Sequence, residues 1–214
     1  VPDGNNILAS NGELGSKLLS LIFQQLQDRP HLTVLDLGCA TPETVDFFAQ
    51  FRCKLFFVDL LSEPLVVAAE SDQDKDTPAP DFGDVMNFPP GTHFDICLFW
   101  DCLHYLDDAS LKAFSAALQP YVSRNTRGHG IGVMNTNTTI GNFNYGIQNL
   151  EKLNARLRRE SQLPCNPHPP AALKKLVSCF NIDKSLLLVD GRLELLLKGV
   201  ETGGQQEKKF FIDT

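Results

Sequence analysis

Leu32-Thr33-Val34-Leu35-Asp36-Leu37-Gly38-Cys39-Ala40-Thr41-Pro42 is the stretch that decides the fold. Leu32 to Leu37 is a short apolar run bounded by turn residues, which reads as a strand buried on both faces. It ends at Gly38, where the backbone is able to turn and to approach a ligand closely. A helix start follows: Thr41 suits the N-cap, Pro42 the first helical position, and Glu43 and Asp46 complement the helix dipole, so a helix is predicted to about Phe51. A second buried strand is expected over Lys54 to Leu60.

The same alternation continues outward. Ser62, Glu63 and Pro64 open a helix to about Glu70, and the acidic, proline-bearing stretch from Ser71 to Pro80 reads as a solvated loop. Phe82 to Phe88 is ambiguous. Phe94 to Trp100 reads as a strand, Asp107 to Tyr121 as a helix, and Gly130 to Asn135 as a strand. Upstream, apolar residues at helical spacing predict a helix over Glu13 to Gln27. Downstream, helices are predicted over Ile147 to Glu160 and Ala171 to Phe180, separated by a proline-rich loop from Ser161 to Pro170. Asp190-Gly191 between two β-prone runs marks a tight hairpin. Strands alternating with helices and closed by a C-terminal antiparallel hairpin define an α/β sandwich with a mostly parallel sheet. The 214 residues suit one domain, 1–214, with 136–170 as a substrate-side insertion or lid.

Composition narrows the function. Nineteen Lys and Arg against 26 Asp and Glu give a net charge of -7, opposite to the footprint of a protein that grips nucleic-acid phosphates. A small-molecule or protein partner is favoured. The six cysteines include no C-x-x-C pair and four lie in apolar runs, so no metal is expected and a reducing cytoplasm is the simpler location. No apolar run is long enough to span a bilayer, and Val1-Pro2-Asp3-Gly4 is not a cleavable signal. Oligomeric state is not legible.

Asp59 closes the second strand 23 residues after Asp36. A carboxylate so placed accepts hydrogen bonds from both hydroxyls of a ribose, which implies a nucleoside-containing ligand. At this point the chain resembles the class I S-adenosylmethionine-dependent methyltransferases over residues 13 to 200. Asp36-Leu37-Gly38-Cys39-Ala40-Thr41-Pro42 is similar to the family's D-x-G-x-G-x-G motif, with Ala40 and Pro42 where glycine is usual. Gly83-Asp84 with Asn87-Phe88-Pro89 resembles G-D-x-x-x-L-P, and Phe94-Asp95-Ile96-Cys97-Leu98 with Leu103-His104-Tyr105-Leu106 resembles F-D-x-V...L-H-H-L.

The resemblance implies a Rossmann-like α/β three-layer sandwich with a mostly parallel seven-stranded sheet and a C-terminal antiparallel hairpin, and S-adenosylmethionine as cofactor. Asp36, Gly38, Cys39 and Ala40 would border its methionine half, Asp59 and Leu60 its ribose, and Asp84 and Val85 its adenine, with Trp100 lining the pocket. Asp101, Tyr105 and Tyr145 are candidates for contact with the acceptor. His104 is the candidate general base, against the alternative of a structural hydrogen-bonding group. The chain lacks the D/N-P-P-Y/F motif of base- and glutamine-methylating enzymes and a complete Lys-Asp-Lys-Glu set. The reaction expected is methyl transfer to a small molecule or a protein group. The alternative is a catalytically inactive methyltransferase-like domain serving as an interaction or assembly module. A nicotinamide-dependent oxidoreductase is disfavoured because two glycines of G-x-G-x-x-G are missing. Lys152, Arg156, Arg158 and Arg159 read as a basic helical face in contact with solvent, and Cys165 is assigned no chemistry.

Overall fold

The computed structural model describes residues 12–64, 66, 80–133, 141–158, 165–189 and 191–201. Its main sheet has six strands, β2 (Leu32–Asp36), β3 (Cys53–Phe57), β4 (Ile96–Trp100), β5 (Arg127–Val133), β8 (Phe180–Leu187) and β9 (Arg192–Gly199). Their order is β3-β2-β4-β5-β9-β8. The first four run parallel, and β9 and β8 close the sheet antiparallel. Helices α1 (Leu19–Leu26) and α2 (Pro42–Phe48) contribute to the core on one face, while α3 (Asp108–Leu118) and α4 (Pro170–Leu176) contribute to that on the other. This is a Rossmann-like α/β topology, and its strand order reverses between β2 and β4.

Local chemistry explains the frame. Val34, Leu35, Ile96, Cys97 and Leu98 are all buried, as strands covered on both faces require. Asp107 caps α3 by accepting the Ser110 N-H at 2.7 Å. The terminal hairpin turns at Gly191, whose φ of +85° explains a glycine there.

Three expectations are corrected. The main sheet has six strands, not seven: among the described residues, 83–86 form a turn, and Phe82, Met86 and Phe88 are drawn into the core rather than into a ladder. Glu13 to Gln27 is not one helix, because Gly12–Gly15 forms β1 before α1 begins. Ile147 to Glu160 is not a helix either. It contributes to β6 (Phe143–Asn149) and β7 (Lys152–Leu157), which join β1 in a separate antiparallel sheet ordered β1-β7-β6. Phe143, Tyr145 and Ile147, then Leu153 and Ala155, bury alternate positions with the two-residue period of a strand. Ile147, Leu150 and Leu153 also suit a helix, and the ladder with β1 overrides that local pattern. The predicted segments 67–79, 134–140 and 159–164 lie outside the described residues, as do Leu65 and Asp190; Pro64 and Val66 are helical.

The small sheet shares a hydrophobic cluster with α1, α2 and one face of the main sheet. A buried carboxylate also ties it down. Glu194 of β9 accepts hydrogen bonds from Ser16 Oγ at 2.5 Å, from the Lys17 and Leu18 N-H groups at 2.9 and 3.1 Å, and pairs with His129 Nε2 at 2.9 Å. Burial opposes its charge. Bonding and charge from His129, with the Ser16 and Lys17 bonds, nevertheless bring its pKa down to about 2.

Candidate functional site

In an open α/β sheet a ligand crevice forms beyond the carboxyl ends of the strands where their order reverses. Here that point lies between β2 and β4, and Asp36 and Trp100 meet there. Asp36 Oδ1 accepts the Gly38 N-H at 2.9 Å and the Trp100 Nε1-H at 2.6 Å. Oδ2 is buried with no hydrogen-bond partner among the described residues. Burial raises the carboxyl pKa to about 7, against the lowering effect of the two N-H donors.

Trp100 covers the glycine that is expected to approach a ligand. A Cβ at Gly38 would stand 3.0 Å from Trp100 Cδ1 and 3.2 Å from Nε1. The residue has a φ of +50°, sparsely populated for a bulky side chain, and it follows a shift in the β4–β5 register. Its ring stacks on Tyr145 at 5.4 Å between centroids and 12° between planes. Tyr145 in turn donates its hydroxyl to Asp101 Oδ2 at 3.2 Å. Asp101 is fully enclosed, and burial raises its pKa to about 7.

Asp59 lies just beyond β3, and its carboxylate holds an arginine. Arg158, immediately after β7, donates Nη1-H to Oδ1 at 2.7 Å and Nη2-H to Oδ2 at 2.6 Å. Ser62 Oγ adds a 2.9 Å bond to Oδ2 and also accepts from Arg158. Both hydrogen-bonding edges expected to receive a ribose are therefore taken by one bidentate fork. Sequence reading missed this residue because it placed Arg158 on a solvated helix. The alternation of buried positions at Phe143, Tyr145 and Ile147 is a strand signal, but Ile147, Leu150 and Leu153 fit helical spacing equally.

The first turn of α2 is covered as well. Thr41 Oγ1 donates to the Tyr145 carbonyl at 3.3 Å, and the Ile147 N-H donates to Thr44 Oγ1 at 3.1 Å. Glu43 binds Arg156 and accepts from Asn154 Nδ2 at 3.1 Å. The Arg156 bond is the main reason the Glu43 pKa falls to about 2. Strands β6 and β7 thus lie across the helix terminus and the carboxyl end of β2.

The remaining expected residues divide between rim and core. Cys39 is half-buried, its thiol pushed up by burial and by Asp59, and Ala40 is exposed. The Leu60 side chain is fully buried in the core, Asp84 is exposed and Val85 packs partly against the core. Tyr105 is buried, and burial raises its hydroxyl pKa well above the usual range. His104 is also fully buried. Its Nδ1 accepts the His168 N-H at 3.2 Å, and its Nε2 points at β5, where a Cβ on Gly132 would come within 2.0 Å. Burial, then His168, lowers its pKa to about 3, so it is held neutral away from the crevice.

These shifts set a pH dependence. Asp36 and Asp101 keep their protons to about pH 7 in the folded chain, whereas the ordinary carboxyl value is 3.8. The folded state binds the extra protons, so stability falls as pH rises through that window. His104 works oppositely between about 3 and 6.5. Two carboxyls outweigh one imidazole. Urea midpoints are expected to decline from about pH 4.5 to pH 7, less steeply in Asp101→Asn; a rise over that range in the unaltered protein would contradict the assignment.

No protein-family model and no curated protein matches the sequence. Solved structures similar to it include the 1,6-didemethyltoxoflavin-N1-methyltransferase of Burkholderia thailandensis with 1,6-didemethyltoxoflavin and S-adenosylhomocysteine bound. That match has 18% identity and a TM-score of 0.46 over 86% of this chain and 76% of that one. A S-adenosylmethionine-dependent methyltransferase from Clostridium acetobutylicum aligns at 13% identity and a TM-score of 0.46 over 84% and 89%. DesVI of Streptomyces venezuelae aligns at 13% and 0.49 over 86% and 89%. Among the described residues, no helix is long and apolar enough to cross a membrane.

Proposed function

We propose that residues 1–214 form one domain of the methyltransferase fold that keeps its nucleoside crevice shut with its own side chains and works, in this conformation, as a non-catalytic interaction or assembly module. The observation that carries this reading is the bidentate pair between Arg158 and Asp59. The acid that would receive ribose hydroxyls is already satisfied, and a neutral sugar replaces a charge-assisted fork only at a cost. Trp100 adds a steric obstacle over Gly38. S-adenosylmethionine, the ligand that the sequence resemblance implies, would have to displace Arg158 from Asp59 and move Trp100 from above Gly38. His104, turned inward and neutral, supplies no base to the crevice.

A second reading, methyl transfer to a small molecule or a protein group, has one observation in its favour. Asp36 and Asp59 still stand at the carboxyl ends of neighbouring parallel strands. It requires Arg158 and Trp100 to leave, with β6 and β7 then forming the acceptor side. Calorimetric titration with S-adenosylhomocysteine separates the two readings. The closed domain gives no saturable heat at millimolar ligand while remaining folded; submillimolar binding abolished by Asp59→Ala would establish the second reading instead.

A further inference from the structure

A cavity of about 510 Å³ opens at the other end of the sheet, beside the start of β2 and the residue preceding β3. Its volume lies within the range of small-molecule sites. Phe23, Leu26, Leu32 and Phe51 supply apolar wall, and glutamine side chains contribute amides. The Phe23 and Phe51 rings lie 5.3 Å apart, and Phe51 is 38% exposed although it belongs to an aromatic group with Phe47 and Phe48. The same wall contains Arg29 and Arg52. Arg29 spends one nitrogen on Asp95 at 2.9 Å. The Arg52 side chain has no hydrogen-bond or ion-pair partner among the described residues.

Two cations in one apolar cleft are unexpected on a chain of net charge -7. Arginine matches a carboxylate bidentately and sheds its hydration more readily than lysine, so it suits an anion whose remaining body is apolar. The geometry points to a binding site for an amphipathic monocarboxylate, with its hydrocarbon part against Phe23 and Phe51 and its acid group on Arg52, assisted by Arg29. A neutral molecule of the same shape leaves Arg52 without a counter-charge, and a cation is repelled. The site is independent of the closed nucleoside crevice, because Asp36, Asp59 and Arg158 lie beyond the opposite strand ends.

The test is calorimetric titration of the full chain with decanoate, decanol and decylamine, each below its aggregation concentration. Decanoate is expected to bind saturably below 1 mM, at least about tenfold more tightly than the alcohol or the amine. Arg52→Gln, a change at an exposed residue, is expected to weaken decanoate at least about tenfold with an unchanged melting profile, and Phe51→Asp to abolish its binding. No saturable heat at 1 mM, equal affinity for decanol, or indifference to Arg52→Gln would overturn the proposal. So would light scattering that shows an unliganded dimer dispersed by Phe51→Asp, since the cleft would then be a contact between copies of this chain.

Discussion

Glu194→Ala is expected to destabilise the protein by about 3–5 kcal/mol, the usual cost of removing one partner from a buried ionic cluster. The carboxylate is 1% exposed, and four donors converge on it: the Ser16 hydroxyl, the N-H groups of Lys17 and Leu18, and His129. Alanine leaves all four without this acceptor, three of them in buried positions. Glu194→Gln keeps the shape and an acceptor oxygen but loses the charge, so it falls between the two. Urea unfolding followed by circular dichroism measures both losses, and a cost below about 1 kcal/mol for alanine would mean that the cluster is hydrated rather than closed. The effect extends to the crevice. Ser16 follows β1, β1 pairs with β7, and β7 leads directly into Arg158. Loosening Glu194 therefore loosens the element that carries the arginine to Asp59.

Arg158→Ala is expected to raise affinity for S-adenosylhomocysteine roughly 10–100-fold, the factor corresponding to about 1.5–3 kcal/mol for a hydrogen-bonded charged group. The pair is only partly buried, with side-chain exposures of 12% for Arg158 and 28% for Asp59, so the lower end of that range is the better guide. Trp100→Ala on the same background removes the ring above Gly38. It also breaks the Asp36 bond and empties a packed volume, at a stability cost of about 3–5 kcal/mol. Calorimetry on the double variant, with a thermal melt to establish that it is folded, measures whether the crevice opens. A folded double variant that still binds nothing contradicts the assignment of these two side chains as the obstruction and places it instead at Ala40, Pro42 and the strands over α2.

Much of this was legible in the chain. The run from Leu32 into Gly38, the Thr41-Pro42 helix start and the antiparallel pairing of β8 with β9 are governed by neighbours along the sequence, and those elements are present. Asp36 and Asp59 were placed correctly at adjacent strand ends for the same reason. What surrounds them was not legible. Whether Trp100 turns toward Gly38 depends on a backbone φ of +50° and on Tyr145, which lies 45 residues away. Arg158 reaches Asp59 only because residues 143–157 form two strands, and their apolar positions fit a helix almost as well when nothing reveals the partner β1. Glu194 lies in the β-prone run Leu193 to Leu197, and its role depends on Ser16, 178 positions earlier. Contacts of that separation leave no local period to read.

The chain has one tryptophan, so its indole N-H is a single, unambiguous reporter at the heart of the crevice. The measurement that tests the closed-crevice account most directly is a nitrogen–proton correlation spectrum recorded while S-adenosylhomocysteine is added to millimolar concentration. The account predicts one Trp100 indole signal, slow to exchange with deuterated water because it is bonded to Asp36, and unmoved by the ligand. A signal that exchanges rapidly, or that shifts saturably as ligand is added, would contradict it.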